Sequence, residues 1–417
     1  MKKIIFFVTV ILFTAGCAQK TLSKKEEGQI TYFSTIEFVE TPLSYTKGSV
    51  PLEESIAMKR NHYRFSYDWQ NRVKTIAFFN GNQPRNPNHT GNLFTLAHRI
   101  EFTYDKNEER VTFYNTKGKQ VSVLGDSYTF VFSLNKLGFR ETLSFLNEKG
   151  NSVENSWNIY KYEWEYFADG SVIEDRFNKK GDQVSIRLGF EFYRLRLFFN
   201  NLGHIALMQN IDKEGRLIEN SSGASQDRIT TNAQGNFLKW EVLDNKHQLE
   251  KGNGPNVAVG NQEFNEFGYE ISLLHMDEER APMYSAYGIC RGKTKFDAYG
   301  NISERFFYDE QNKPSTHKTA KYHSLKMSWD VSGNYRTDLE YFDVEGKPKA
   351  HMTRGYHHVK YHYNTQKELV KITYHDIHKE LVNRKDNGIA YIKYNYDQEG
   401  NRTSIQRFDT KNNELKN

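Results

Sequence analysis

Apolar and polar residues alternate along most of this chain in short runs, and each run stops at a turn signal. Ile392, Tyr394 and Tyr396 share one face of such a run; beyond the turn, Thr403, Ile405 and Arg407 oppose Arg402, Ser404 and Gln406. A period of two is that of a half-buried β-strand. The residues between the two runs are Asp397-Gln398-Glu399-Gly400-Asn401. Asp or Asn at the head of such a turn caps it through its own side-chain oxygen, and Gly or Asn accepts the positive φ that follows. Each unit of this kind is therefore expected to be a β-hairpin.

The unit recurs along the chain. Its first turn residue falls at Asp68, Asp105, Asn135, Asp169 (in a shortened copy), Asn200, Asn232, Asn265, Asp297, Asp330, Asn364 and Asp397, and the last six steps are 32, 33, 32, 33, 34 and 33 residues. A second turn follows about twelve residues after each first one, at Asn80, Asn115, Asn147, Asn178, Asp212, Asp244, Asp277, Asp309, Asp343, Asp376 and Asp409. Two rulers that agree over so much of the chain define a repeat. A third short strand is expected after the second turn, as at Lys349 to Thr353. Helical signal is confined to Leu52 to Arg60, with Ser49 as a cap and Pro51 in the first turn. The prediction is an all-β chain with about eleven antiparallel hairpin or meander repeats of ~33 residues filling 61–417. The array forms either an open twisted sheet or superhelix, or else a closed β-propeller. Propellers typically have about four to eight blades, which favours the open form.

The Tyr-Asp-x-x-Gly-Asn turn with a strand on either side resembles the YD repeats of the Rhs family, and the succession of hairpins is similar to variant MORN repeats. The resemblance covers Asn61 to the end of the chain and implies architecture alone. The period is longer than either family's usual unit, and a distinct C-terminal toxin segment is missing, so toxin delivery is not carried over.

The N-terminus has a different pattern. Lys2 and Lys3, the apolar stretch Ile4 to Phe13, and Thr14-Ala15-Gly16-Cys17 have the three-part layout of an export signal too short to span a bilayer. The last four residues resemble a lipobox. That resemblance implies cleavage after Gly16 and lipidation of Cys17, with diacylglycerol on its thiol and an acyl group such as palmitate on its amine. Ala18 after the Cys implies the outer membrane of a two-membraned cell. Residues 17–30 are polar and non-periodic and are expected to form a tether; residues 31–60 are expected to cap the array, with a strand within Ile30 to Tyr45.

The remaining composition narrows the function. Loss of residues 1–16 leaves 55 basic against 52 acidic residues, near +3, which is no footprint for nucleic acid, and the mean hydropathy is −0.78. With Cys17 acylated, Cys290 has no partner, so the body folds without a disulfide and Cys290 is expected to be a buried, inert thiol. Of the 14 His, eight lie between His317 and His378. His358, Lys360 and His362 share a strand face, but two steps along a strand separate the imidazoles by ~13 Å. A metal would therefore need His351, His357, His375 or His378 from a neighbouring strand, and exposed sheet histidines are expected instead. The segment Gly288 to Thr294 has its glycines one residue too close for a phosphate loop, and no Gly-x-Ser-x-Gly or His-Glu-x-x-His motif occurs. The chain is expected to be a non-enzymatic, lipid-anchored scaffold of the cell envelope with no cofactor and no metal, working on a protein partner or as structural support. The alternative is a carbohydrate or peptidoglycan module that uses outward aromatics.

Overall fold

The computed structural model describes residues 28–87, 97–187, 189–398, 400 and 402–416. The export signal, Cys17, Ala18 and the tether up to residue 27 lie outside the described residues. Within them, 26 strands form one antiparallel sheet that is nowhere closed on itself. Strand follows strand in chain order: Arg291–Phe296, for example, pairs backwards with Glu270–Met276 and forwards with Ile302–Tyr308. Only the start departs from this order, where Ile30–Ile36 lies between Gly48–Leu52 and Asn61–Tyr67. Of the two architectures left open by the sequence, this is the open one.

The predicted turns close as their chemistry requires. Asp309 Oδ1 accepts from the amides of Gln311 and Lys313 at 3.0 and 2.8 Å, and Asn135 Oδ1 accepts from those of Leu137 and Phe139 at 2.9 and 3.0 Å. In the shortened fourth copy the turn begins one residue pair earlier than the ruler placed it. Phe167 occupies the head of the turn, and Asp169 instead caps Ser171 from within it. Most first turns are preceded by a β-bulge, as between Lys295 and Phe296 or Ser328 and Trp329. The bulge adds local twist to the strand pair that carries it.

Three local expectations are corrected. Lys349 to Thr353 is not a strand: the chain returns through the single bridge Phe342↔Pro348, and bridges such as Tyr308↔Pro314 and His375↔Leu381 do the same in other repeats. Only Gln83–Pro84 and Ser152–Val153 extend to two residues. After the bridge comes a third turn that the sequence reading took for a plain connection. It is seen at Ser285–Gly288, His317–Lys321, His351–Gly355 and Arg384–Gly388, and consecutive copies stack by bonds such as Lys318 N to Gly288 O and Met352 N to Ala320 O. The helix contracts to the single turn Glu54–Ala57, with Glu53 at its N-cap. Ser49 and Pro51 belong instead to the edge strand Gly48–Leu52. There Ser49 Oγ donates to Gln234 O at 2.6 Å, and Pro51 is tolerated because an edge residue need not donate to a ladder.

Contacts between residues about 250 apart show how the sheet coils. First turns form an upper rim, and second and third turns form a lower rim. Asn61, on the lower rim of the first repeat, bonds Tyr299 O through its amide at 2.8 Å and Asn301 Oδ1 through its side chain at 2.9 Å, both on the upper rim of the eighth. One repeat on, Asn80 Nδ2 donates to Ser332 O at 2.9 Å, and Arg85 Nη1 donates to Asn61 Oδ1, Asn301 Oδ1 and Gly333 O. Lys117 Nζ then reaches Glu368 Oε1 at 2.7 Å and Gly400 O at 2.6 Å. The sheet is a spiral of between seven and eight repeats per turn, whose second turn hangs its upper rim from the lower rim of the first.

The inward faces of residues 63–242 merge into one hydrophobic core, with Phe65, Phe113, Phe145, Leu143, Leu195 and Leu197 at 0–1% exposure. Inward side chains of the second turn, such as Met327, Leu339, Tyr361 and Ile392, are only half-buried.

Candidate functional site

Between Ile30–Ile36 and Gly48–Leu52 the chain leaves the sheet for eleven residues, Glu37 to Lys47, and runs across the inside of the first spiral turn. We call this segment the strap. It has no alternation of apolar and polar residues and carries neither turn ruler, which is why the sequence reading gave it only a vague capping role. Phe38 N donates to Gly235 O at 3.0 Å, and the Phe38 ring stacks on Phe237 at 4.3 Å. Val39 and Leu43 are buried in the main core.

Ionic contacts fasten the strap from below. The Arg140 guanidinium donates to Pro42 O at 2.7 Å and Ser44 O at 3.2 Å, pairs with Glu109, and stacks between Phe132 and Tyr45. Thr41 Oγ1 donates to Glu174 Oε2 at 2.6 Å, and Trp164 Nε1 donates to the same oxygen at 2.8 Å. The other oxygen of Glu174 pairs with Arg176; both side chains are fully buried. Arg176 also donates from Nη2 to Phe192 O and Tyr193 O at 2.7 and 3.1 Å and from Nε to Val184 O at 3.5 Å. Glu40 pairs with Arg187, and Glu37 approaches His204 Nε2 at 3.3 Å. Lys47 Nζ lies 3.9 Å from Glu37, so each carboxylate of this group has a lysine or arginine partner, as buried charge requires.

Asp227 differs. It is 5% exposed and accepts one bond, from Asn253 Nδ2 at 3.0 Å. Burial, reinforced by the neighbouring Glu40 carboxylate and only partly offset by Arg187, pushes its pKa up to about 7. It is a carboxyl group poised to exchange a proton near neutrality.

Above the strap, toward the upper rim, a cavity of about 280 Å³ opens between Tyr45, Phe139, Tyr166 and Phe199, with Glu37, Lys47 and His204 among its polar edges. Below it, a gap of about 30 Å³ remains between the strap and Phe113, Phe130 and Phe132. Of these two spaces the open cavity has more room and more varied chemistry at its edges. Aromatic faces with a few polar groups at the margin suit a ring-shaped or partly apolar ligand. None of its residues was singled out beforehand. The one available signal was the failure of alternation at Glu37 to Lys47, which marks a segment that serves the array from outside its ladder.

The residues that were singled out lie elsewhere. His358 is buried and its Nε2 lies 2.7 Å from Asp338 Oδ1; His375 sits 5.8 Å from it, ring to ring, and shares the Thr373 hydroxyl with His362. His351 is on the third turn, against Tyr322 and Tyr341. Burial lowers the pKa of His362 and His375 and brings that of His351 to about 4. Among the described residues no three His, Cys, Asp or Glu side chains converge as metal ligands would. Cys290 is 1% exposed, and burial raises its thiol pKa to about 11, so it is a core residue with little thiolate at neutral pH.

No family model and no curated protein matches the chain. Among solved structures, it is similar to the TcdB2-TccC3-Cdc42 crystal structure at 10% identity, covering 91% of this chain and 21% of that one, with a TM-score of 0.34. The chain thus spans about a fifth of that protein's length. It is also similar to a porin-like protein from Bacteroides uniformis ATCC 8492, at 10% identity, with 75% of this chain and 95% of that chain covered and a TM-score of 0.23. Likeness at this level does not bear on activity or partners.

Proposed function

We propose that this chain is a non-catalytic repeat scaffold of the cell envelope, held to a membrane through lipidated Cys17, on the outer membrane where the cell has two, and that it presents its coiled sheet to a protein partner. The observation that carries this reading is how the charged side chains inside the first turn are used. Arg140, Arg176, Arg187, Glu40, Glu109 and Glu174 fasten the strap and one another, which stiffens a large surface and leaves few of them for chemistry. A spiral array adds exposed surface with each unit while neighbouring units share their stability. The test is affinity capture from detergent-solubilised envelopes with wild-type protein and Cys17→Ser. The expected result is a stoichiometric partner for both, with only the wild type fractionating with membranes; recovery of the body alone would overturn the scaffold reading.

The cavity above the strap supports a second reading, a glycan or peptidoglycan module in which Tyr45, Phe139 and Tyr166 stack on sugar rings. Retention on immobilised peptidoglycan that Tyr166→Ala abolishes would favour it over the first.

A further inference from the structure

We propose that the free upper rim of the first spiral turn rests on the surface of an anionic phospholipid bilayer. This rests on the reading of Cys17 as a lipid anchor and adds an orientation to it.

From the sixth repeat onward the upper rim is partly covered, because earlier units lie against Gly235, Asn301, Ser332 and Gly400, although Val331 on the ninth remains 94% exposed. The first turns of repeats one to five have no such cover. They carry Trp69, Leu137, Phe139, Phe167 and Leu202, exposed at 62, 81, 48, 38 and 54%. Lys106 and Lys136 stand exposed on the same turns, beside the exposed turn carboxylates Asp105 and Asp169. The free second turns of repeats three to six, at the opposite rim, carry instead Glu148-Lys149, Lys179-Lys180, Lys213-Glu214 and Asn245-Lys246. Large apolar and aromatic side chains interspersed with lysine belong at a headgroup boundary, where rings sit among the headgroups and cations meet anionic lipid.

The entry point of the chain decides the occupant. Ile30 pairs with Ser66, two residues before the Asp68-Trp69 turn, so the body is entered at this rim. The segment from Cys17 to Ile30 spans at most about 47 Å when extended. An anchor at Cys17 therefore enters the body at the apolar rim and places that rim nearer the membrane than the opposite one.

The experiment uses the Trp69 indole as its probe. The acylated full-length protein, its N-terminal peptide checked by mass, is placed in phosphatidylethanolamine/phosphatidylglycerol vesicles whose acyl chains carry bromine near the headgroup. Cys17→Ser protein is added to the same vesicles. In both forms the emission lost on Trp69→Phe substitution is expected to be quenched about twofold or more. Binding of the Cys17→Ser form should fall about tenfold with Leu137→Asp/Phe167→Asp and remain unchanged with Met352→Asp at the lower rim. If the acylated protein stays on the vesicles with Trp69 unquenched, the rim proposal fails while the anchor stands. If the N-terminal peptide carries no acyl mass, the anchor reading fails, and quenching in the Cys17→Ser form still decides the rim. Equal loss with Met352→Asp would also overturn the proposal.

Discussion

The two turns of the spiral are built from the same repeat and differ in what fills them. In the first turn lie all twelve of the largest fully buried side chains among the described residues, from Phe65 to Leu243, in the wall that faces the strap or adjoins it. The second turn places Leu325, Val359 and Tyr374 at equivalent inward positions, still 4–8% exposed, and leaves Met327, Leu339, Tyr361 and Ile392 half-open. A sheet one strand thick can bury its inner face only against something else. The first turn has the strap and its own opposite wall; the second has an aromatic ladder of Phe307, Tyr322, Tyr341, Tyr356 and Tyr374, whose successive rings meet tilted or edge-on. The difference teaches that here the repeat supplies the ladder and its turns, while a non-repeating insertion supplies the core.

The sharpest way to break the comparison is to uncouple the ions beneath the strap. Arg176→Ala would leave Glu174 charged and fully buried without its cation, and such a deletion costs about 3–5 kcal/mol. Hydrogen exchange is expected to rise throughout residues 63–243, with smaller changes beyond residue 300. Uniform destabilisation of both turns would contradict separate cores. Next in size is a matched pair of truncations. Leu43→Ala opens a cavity in the main core and should cost about 2–4 kcal/mol, whereas Ile372→Ala, half-buried in the second turn, should cost about 1 kcal/mol. Equal losses in urea denaturation would show that the strap is packed no better than the ladder.

Much of this was legible in the sequence, for reasons that separate the local from the distant. Asp309 and Asn135 announce their turns because the capping oxygen and the amides it accepts lie within four residues. Strand alternation at Ile392, Tyr394 and Tyr396 is equally local. The spiral was not legible, because it depends on Asn61 meeting Asn301 and Lys117 meeting Glu368, pairs without any pattern between them. The third turn was missed because its residues vary from Ser285-Ala286-Tyr287-Gly288 to Arg384-Lys385-Asp386-Asn387, sharing backbone closure rather than side chains. Ser49 misled because its hydroxyl serves Gln234 across the spiral instead of a helix. The cavity escaped for the same reason as the strap, since its walls come from four repeats and an aperiodic segment.

The strap is also open to a test through pH. Asp227 faces Glu40 on the strap, with Arg187 and Asn253 as its other polar neighbours, and its folded pKa of about 7 lies above the usual carboxylate value near 4. A carboxyl group whose pKa is raised by folding favours the folded state fully below the unfolded pKa, and that advantage is lost as pH rises through the folded value. Between about pH 5 and 8 the wild type should therefore lose roughly 2 kcal/mol through this one group. Asp227→Asn keeps an acceptor for Asn253 and cannot ionise, so its stability should be flat over that window, less stable than wild type at neither end by more than a hydrogen bond's worth. Glu40→Gln should lower the Asp227 midpoint, because the like charge that reinforces burial is gone, and it should also loosen the strap by freeing Arg187. Parallel stability profiles for wild type and Asp227→Asn would mean that the proton is not held at this position, and that enough water reaches Asp227 to keep it charged.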